Sequence, residues 1–326
     1  MASHFLLKSK ARTLSLIDVM RMSDEDAEVA FAKARWPETD GQPVCPHCGG
    51  LDAYDCRRGK APRYRCKACK KDFSITSGTL FASHKLPLRV YLAAIVIFVN
   101  EVKGKNALAM SRDLGLSYKS AFVLVHKLRE ALAEELKGQT LGGDGEAVEV
   151  DGAVFGHYVK PANLRTDRKD RRLKENQSGK RNLVEFIRER GGRTIPSSFI
   201  HDFQAHGWIN RRVAKGTTVH ADQAPAWNDL HARYDVKRID HQEAYSLREA
   251  CTNMAESYFS RIRRGEAGHF HKISGPYLIR YAQEAAWRED HRTKSNGDQA
   301  KRVVGLAMAK RGSVDFGGYW QRHVTE

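Results

Sequence analysis

Four cysteines in two tight pairs offer the plainest chemistry of this chain. Cys45 and Cys48 bracket Pro46-His47, Cys66 and Cys69 bracket Lys67-Ala68, and seventeen residues separate the pairs. Two C-x-x-C knuckles at that separation close a tetrahedral thiolate site around one zinc ion, as in a zinc ribbon. So short a segment has no core of its own, and metal binding supplies much of its folding energy. Disulfides fit less well, because nothing in the sequence marks a secreted protein. Cys56 and Cys251 match no metal spacing.

A second candidate chemistry is acidic. Asp151 closes the apolar, β-branched run Ala147-Val148-Glu149-Val150, and Asp222 closes Thr217-Thr218-Val219-His220-Ala221. Carboxylates at strand ends project from the sheet edge, and two brought together from adjacent strands repel unless cations fill the gap. Such a site prefers magnesium or manganese. Two ions about 4 Å apart would activate a water or a 3′-hydroxyl and stabilise the leaving oxygen of a phosphodiester. The third ligand is expected from the stretch Thr252 to Gly265, where Asn253 and Glu256 stand three residues apart on one helix face. Arg263, two turns beyond Glu256, and its neighbour Arg264 are placed to hold a DNA phosphate. His220 faces the same side of its strand as Asp222.

These residues need elements to position them. A helical stretch spans 13–36, with Ser23 as an N-cap, and Pro37 and Gly41 lead into the ribbon. A strongly apolar helix follows over Leu88 to Glu101. A shorter one then ends at Gly115, and Ser117 caps another running to about Leu136. Glycine at the turn and basic residues on the second helix form a helix-turn-helix signature, with Lys119, Lys127 and Arg129 as candidate DNA contacts. Gly138 to Gly145 is a linker. Beyond it, strands are expected at 147–155, 183–187, 195–200, 217–222 and 236–239. Helical stretches lie near 208–214, 224–234 and 253–264. Three strands in succession followed by alternating helix and strand give a mixed α/β sheet. The expected division is a helical segment 1–40, a zinc ribbon 41–80, a helix-turn-helix region 81–140, a catalytic domain 146–292 and a tail 293–326. From Asn296 onward the tail follows no periodic pattern.

The charge fits a polyanionic partner. Fifty-five Lys and Arg against 39 Asp and Glu leave a formal charge of +16. Arg165 to Arg181 alone holds eight basic residues against three acidic ones, the composition of a solvated loop able to neutralise phosphates. The longest apolar run, Val90 to Val99, is about half of what a bilayer requires, and the N-terminus lacks a signal-peptide core. No membrane association is expected, and the reading is a cytoplasmic, nucleoid-associated protein.

Taken together these motifs resemble the ISXO-type insertion-sequence transposases, a bacterial group of the DDE superfamily. The resemblance rests on Arg35-Trp36-Pro37 ahead of the first knuckle, Tyr64-Arg65-Cys66 through Phe73, Thr76-Ser77-Gly78-Thr79 and Val148-Glu149-Val150-Asp151. It continues with Glu189-Arg190-Gly191-Gly192-Arg193, Asp222, Thr252-Asn253, Glu256, Arg263-Arg264-Gly265 and Tyr281. It implies an RNase-H-like catalytic domain after the zinc ribbon and helix-turn-helix. Asp151 and Asp222 would be the first two catalytic residues and Asn253 the third, with Glu256 the close contender. Arg263 stands where the family usually has Lys, and Gly152-Ala153 where an acidic and a hydroxyl residue are usual. The function implied is binding of terminal inverted repeats, metal-dependent hydrolysis and strand transfer into target DNA by a dimer or larger assembly. An alternative is a domesticated DNA-binding regulator with idle carboxylates.

Overall fold

The computed structural model describes the chain except residues 1–4, 58–62, 84–85, 156–158, 161, 171–175, 177–181, 241–245, 248–249, 271–272, 274 and 318–326. Much of the expected basic loop, 165–181, lies outside the described residues. The chain divides into two units, one of Met1–Glu135 with His291–Glu326 and one of Leu136–Asp290.

In the first unit the stretch expected to be helical is two helices, α1 (Leu16–Arg21) and α2 (Asp24–Arg35). Each begins at a serine in a reciprocal capping box, Ser15 with Asp18 and Ser23 with Asp26. The extended backbone that lets Ser23 cap α2 ends α1 at Met22. Then come β1 (Ala53–Asp55), β2 (Tyr64–Cys66) and β3 (Asp72–Phe73), paired antiparallel in that order. Helix α3 (Leu88–Asn100) is buried on every side from Tyr91 to Val99, as its uniformly apolar sequence requires. Helix α4 (Ala107–Leu114) ends at Gly115, whose φ of 62° is the left-handed conformation glycine adopts without strain. Ser117 accepts a hydrogen bond from the Ser120 N–H and starts α5 (Tyr118–Glu134). The two helices and their tight turn thus stand where the sequence places them.

The second unit is built on a five-stranded sheet. Strand β4 (Ala147–Phe155) is its centre; β5 (Val159–Lys160) and β6 (Lys169–Asp170) form a small ladder of their own. Strands β7 (Asn182–Glu189) and β8 (Thr194–Phe199) continue from β4 as an antiparallel meander. Helix α6 (Gln204–Arg212) then crosses one face, and β9 (Thr218–Asp222) and β10 (Asp235–Ile239) return parallel to β4 on its other side. The sheet order is β10-β9-β4-β7-β8. The stretch expected to be helical near 224–234 is a 3-10 run, Pro225–Ala232. After the short pair β11 (Ser246–Leu247) and β12 (Ala250–Cys251) come α7 (Asn253–Gly265) and α8 (Leu278–Asp290).

Alternation along the strands sorts the two faces. Val148, Val150, Ile187, Val219 and Ala221 pack with Ala205, Trp208 and Ile209 of α6. Ala153, Phe155, Val184 and Phe186 pack on the opposite face with Ala255, Tyr258 and Phe259 of α7 and Ala282 and Ala286 of α8. By parity Glu149 and Asp151 of β4, and His220 and Asp222 of β9, belong to the α7 face.

The chain closes in the first unit with α9 (Asn296–Ala309), capped by Ser295. Ala300, Val303, Val304, Ala307 and Met308 are buried, and the helix packs on α2, α3 and α5.

Candidate active site and metal centre

The ribbon brings its four sulfurs together. The Sγ atoms of Cys45, Cys48, Cys66 and Cys69 all lie within 4.8 Å of one another, with Cys45–Cys69 and Cys48–Cys66 at 3.6 Å. Both knuckles turn the same way: Gly49 N–H bonds to Cys45 O and Lys70 N–H to Cys66 O, and both turning residues have positive φ, 74° and 60°. A side chain at Gly50 would crowd the site, since a Cβ there would stand 3.2 Å from the Cys66 sulfur and 3.4 Å from that of Cys48. The backbone N–H groups of Cys69 and Ala68 favour the Cys66 thiolate and draw its pKa down from 9.0 to about 7. Four converging sulfurs, with no further His, Cys or carboxylate in the cluster among the described residues, fit a closed structural zinc site, which leaves no position for a substrate.

In the second unit the two aspartates stand near the same end of adjacent parallel strands. The parallel register pairs Ala147 with Thr218, Val148 with Val219 and Glu149 with His220. The pairing ends there, two residues short of Asp151 and Asp222, and the Asp222 charge is close enough to act on Asp151. Each carboxylate has one oxygen engaged. Oδ1 of Asp151 accepts the Gly152 N–H at 2.7 Å. Oδ1 of Asp222 accepts the Ala224 N–H at 3.0 Å and the Trp227 indole N–H at 2.6 Å. Among the described residues neither Oδ2 has a hydrogen-bond partner. Burial is the main cause that lifts the Asp151 pKa from 3.8 to about 7; the Gly152 N–H and Arg263 oppose it, while Asp222 and Glu149 add to it. Two adjacent carboxylates with turned-out oxygens, one of them reluctant to ionise, suit a divalent cation.

Helix α7 forms the other wall. Asp151, Gly152, Glu256, Phe259, Ser260, Arg263, Arg264 and Ala267 line a cleft of about 440 Å³. The α7 residues among them recur at helical spacing, so one stripe of the helix faces the cleft. Glu256 therefore lies with Asp151, whereas neither Asn253, the exposed first residue of α7, nor Asp222 is in that lining; Asp222 is tied to Asp151 through the adjacent strands and its charge instead. The two arginines add positive charge where a phosphate would lie. Gly152 meets a tight neighbour on the other side: a Cβ there would approach Glu185 Cγ to 3.2 Å. An acidic side chain at 152 would thus crowd β7.

Two expected DNA contacts are corrected. Lys127 is 7% exposed and donates to the Leu80 carbonyl at 3.0 Å, and burial lowers its pKa. Arg129 is 1% exposed and donates to the Lys105 carbonyl at 3.1 Å. From Leu124 to Leu132 α5 is buried on all sides, so these cations cannot meet a phosphate. Lys119, in the first turn, is exposed.

Sequence reasoning gave no role to Glu149 or Trp227. Glu149 is 1% exposed, and its Oε2 accepts the N–H groups of Met254 and Ala255, each at 3.0 Å. The available signal was its parity with Asp151 inside an otherwise apolar strand. His220 faces the α7 side as expected but is 3% exposed, and its Nδ1 stands 3.4 Å from an Arg190 nitrogen.

Two family models match the chain. Residues 140–290 match the ISXO2-like transposase domain, and residues 22–72 match the transposase zinc-ribbon domain. The two matches cover well over half of the sequence, and the chain belongs to the ISXO2-like transposases that carry an N-terminal zinc ribbon. No curated protein matches it. Among the described residues no helix is long and apolar enough to cross a membrane.

Proposed function

We propose that this chain binds the terminal inverted repeats of an insertion sequence, hydrolyses a phosphodiester at each element end, and joins the freed 3′-hydroxyl to target DNA. The observation that carries the proposal is the pair Asp151 and Asp222, near the same end of adjacent parallel strands and close enough to interact, each with one carboxylate oxygen not hydrogen-bonded among the described residues. The sheet supports an RNase-H-like reading: three antiparallel strands, then two parallel to the first, with the acidic pair on the central strand and its parallel neighbour.

In this reading Asp151 and Asp222 hold divalent ions, and Glu256 is the third ligand in preference to Asn253, because Glu256 lines the cleft. Magnesium or manganese bound there would supply a sharpened nucleophile and charge neutralisation at the phosphate. Arg263 and Arg264 would grip DNA phosphates beside the scissile bond. The zinc ribbon and the exposed first turn of α5, with Lys119, would recognise the element ends. Two ends must be brought together, which requires a dimer or larger assembly. An idle regulator would leave the turned-out aspartate oxygens and the arginine-lined cleft without a role.

The test is metal-dependent nicking of supercoiled DNA. Asp151→Asn and Asp222→Asn should abolish it while leaving DNA affinity nearly intact, since the positive surface remains. Equal loss of both activities in soluble, folded variants would count against the assignment. Nicking that survives Glu256→Ala but not Asn253→Ala would reverse the choice of third ligand.

A further inference from the structure

We infer that Glu149 is a positioning residue of the active site: a buried carboxylate on β4 that caps α7 and so fixes Glu256 beside Asp151. The inference rests on the reading that the Asp151 cleft cleaves phosphodiesters.

A helix leaves its first N–H groups without intrahelical partners, and a hydroxyl at the N-cap usually meets them. At α7 the N-cap is Thr252, yet its side chain makes no capping bond. The second and third N–H groups, of Met254 and Ala255, instead go to Oε2 of Glu149, more than a hundred residues earlier in sequence. A local cap would hold α7 to its own loop. This one holds it to the strand that bears Asp151.

The geometry follows directly. Glu149 and Asp151 lie two residues apart on one side of β4, so their Cα atoms are about 7 Å apart along the strand. The helix start is pinned at 149, and Glu256, the residue after Ala255, enters the cleft beside Asp151. The negative end of the contact also suits the positive end of the helix dipole.

Glu149 is poorly placed to be a ligand itself. Oε2 is committed to two N–H groups, and Oε1 lies 3.7 Å from Arg190 Nε. The groups around it are Arg188 of β7, its register partner, Arg190 just beyond the end of β7, and His220 of β9. Arg188 in turn reaches Glu289 of α8 at 3.0 Å, and Glu289 pairs with Arg261 of α7. Thus α7 is tied to the sheet at its start through Glu149 and further along through Glu289.

The test uses the full chain, supercoiled plasmid and Mn²⁺, with circular dichroism and melting to follow folding. Glu149→Ala should lower the nicking rate and raise the Mn²⁺ concentration for half-maximal rate, by roughly 10–100-fold, the range found when groups that orient metal ligands are removed. Glu149→Gln should recover most of both, because its amide oxygen can accept the same two N–H groups. Glu149→Asp is too short to reach and should stay slow. A folded Glu149→Ala with unaltered rate and Mn²⁺ midpoint would overturn the inference. Should that variant not fold, an Asp variant faster than the Gln variant would do the same. If Asp151→Asn nicks as fast as the wild type, the cleavage reading itself fails; if only Asp151→Asn is inactive, the role of Glu149 alone is lost.

Discussion

Trp227 donates its indole N–H to Oδ1 of Asp222 at 2.6 Å, from the 3-10 run that follows β9. Trp227 is itself anchored, 3% exposed in the core beneath the sheet. The bond turns the other carboxylate oxygen outward. Trp227→Phe retains most of the packing but loses the donor. Nicking should fall by about tenfold, the scale for groups that orient a metal ligand, with DNA affinity unchanged. An unaltered rate in the folded variant would show that the Ala224 N–H suffices.

The raised pKa of Asp151 predicts a pH-dependent response to metal. Between the unfolded value of 3.8 and the folded value of about 7, the native state holds a proton that the unfolded chain has released. This residue's contribution to metal-free stability is therefore fully present below 3.8 and lost as pH rises through 7, by at most about 4 kcal/mol. Asp151→Asn should raise the metal-free melting temperature at pH 8 and leave it little changed at pH 4. Added Mn²⁺ should stabilise the wild type more at pH 8 than at pH 6, because the proton competes with the ion, and should not stabilise the variant. Melting curves with and without Mn²⁺ at each pH check both statements.

The ribbon predicts a different metal dependence. Unfolding the purified chain in a metallochromic dye should release one zinc ion, and Cys66→Ser should abolish that release. Gly50→Ala would press a methyl group onto the sulfurs of Cys66 and Cys48. It should weaken zinc retention against a chelator without altering the Mn²⁺ dependence of any nicking.

Burial separates the lysines of α5. Lys119→Ala should weaken DNA binding and reduce the salt slope by about one. Lys127→Met should leave that slope unchanged and act, if at all, on stability. A similar slope change in both variants would argue against the exposed first turn as the DNA contact.

Much of this molecule was legible in the sequence where period and chemistry coincide. The strands at 147–155, 183–187 and 217–222 alternate or run apolar between turn residues, and each is observed within a residue or two. The two knuckles carry their own geometry in their spacing. Lys127 and Arg129 misled because charge was read without the apolar residues around them, Leu124, Val125, Leu128, Ala131 and Leu132, which bury that stretch. Helix α9 went unread because Gly297 and Gly305 dilute its period. The role of Glu149 depends on a contact across a hundred residues, which no local pattern encodes.

The route of the chain carries a consequence for how it matures. The segment 136–290 is inserted within the other unit, and α9 supplies part of that unit's core only after the inserted segment has been made. Until then the apolar sides of α2, α3 and α5 that α9 covers stay bare on the nascent polypeptide, while the inserted segment can already fold. The earlier-made half is therefore the later to be finished.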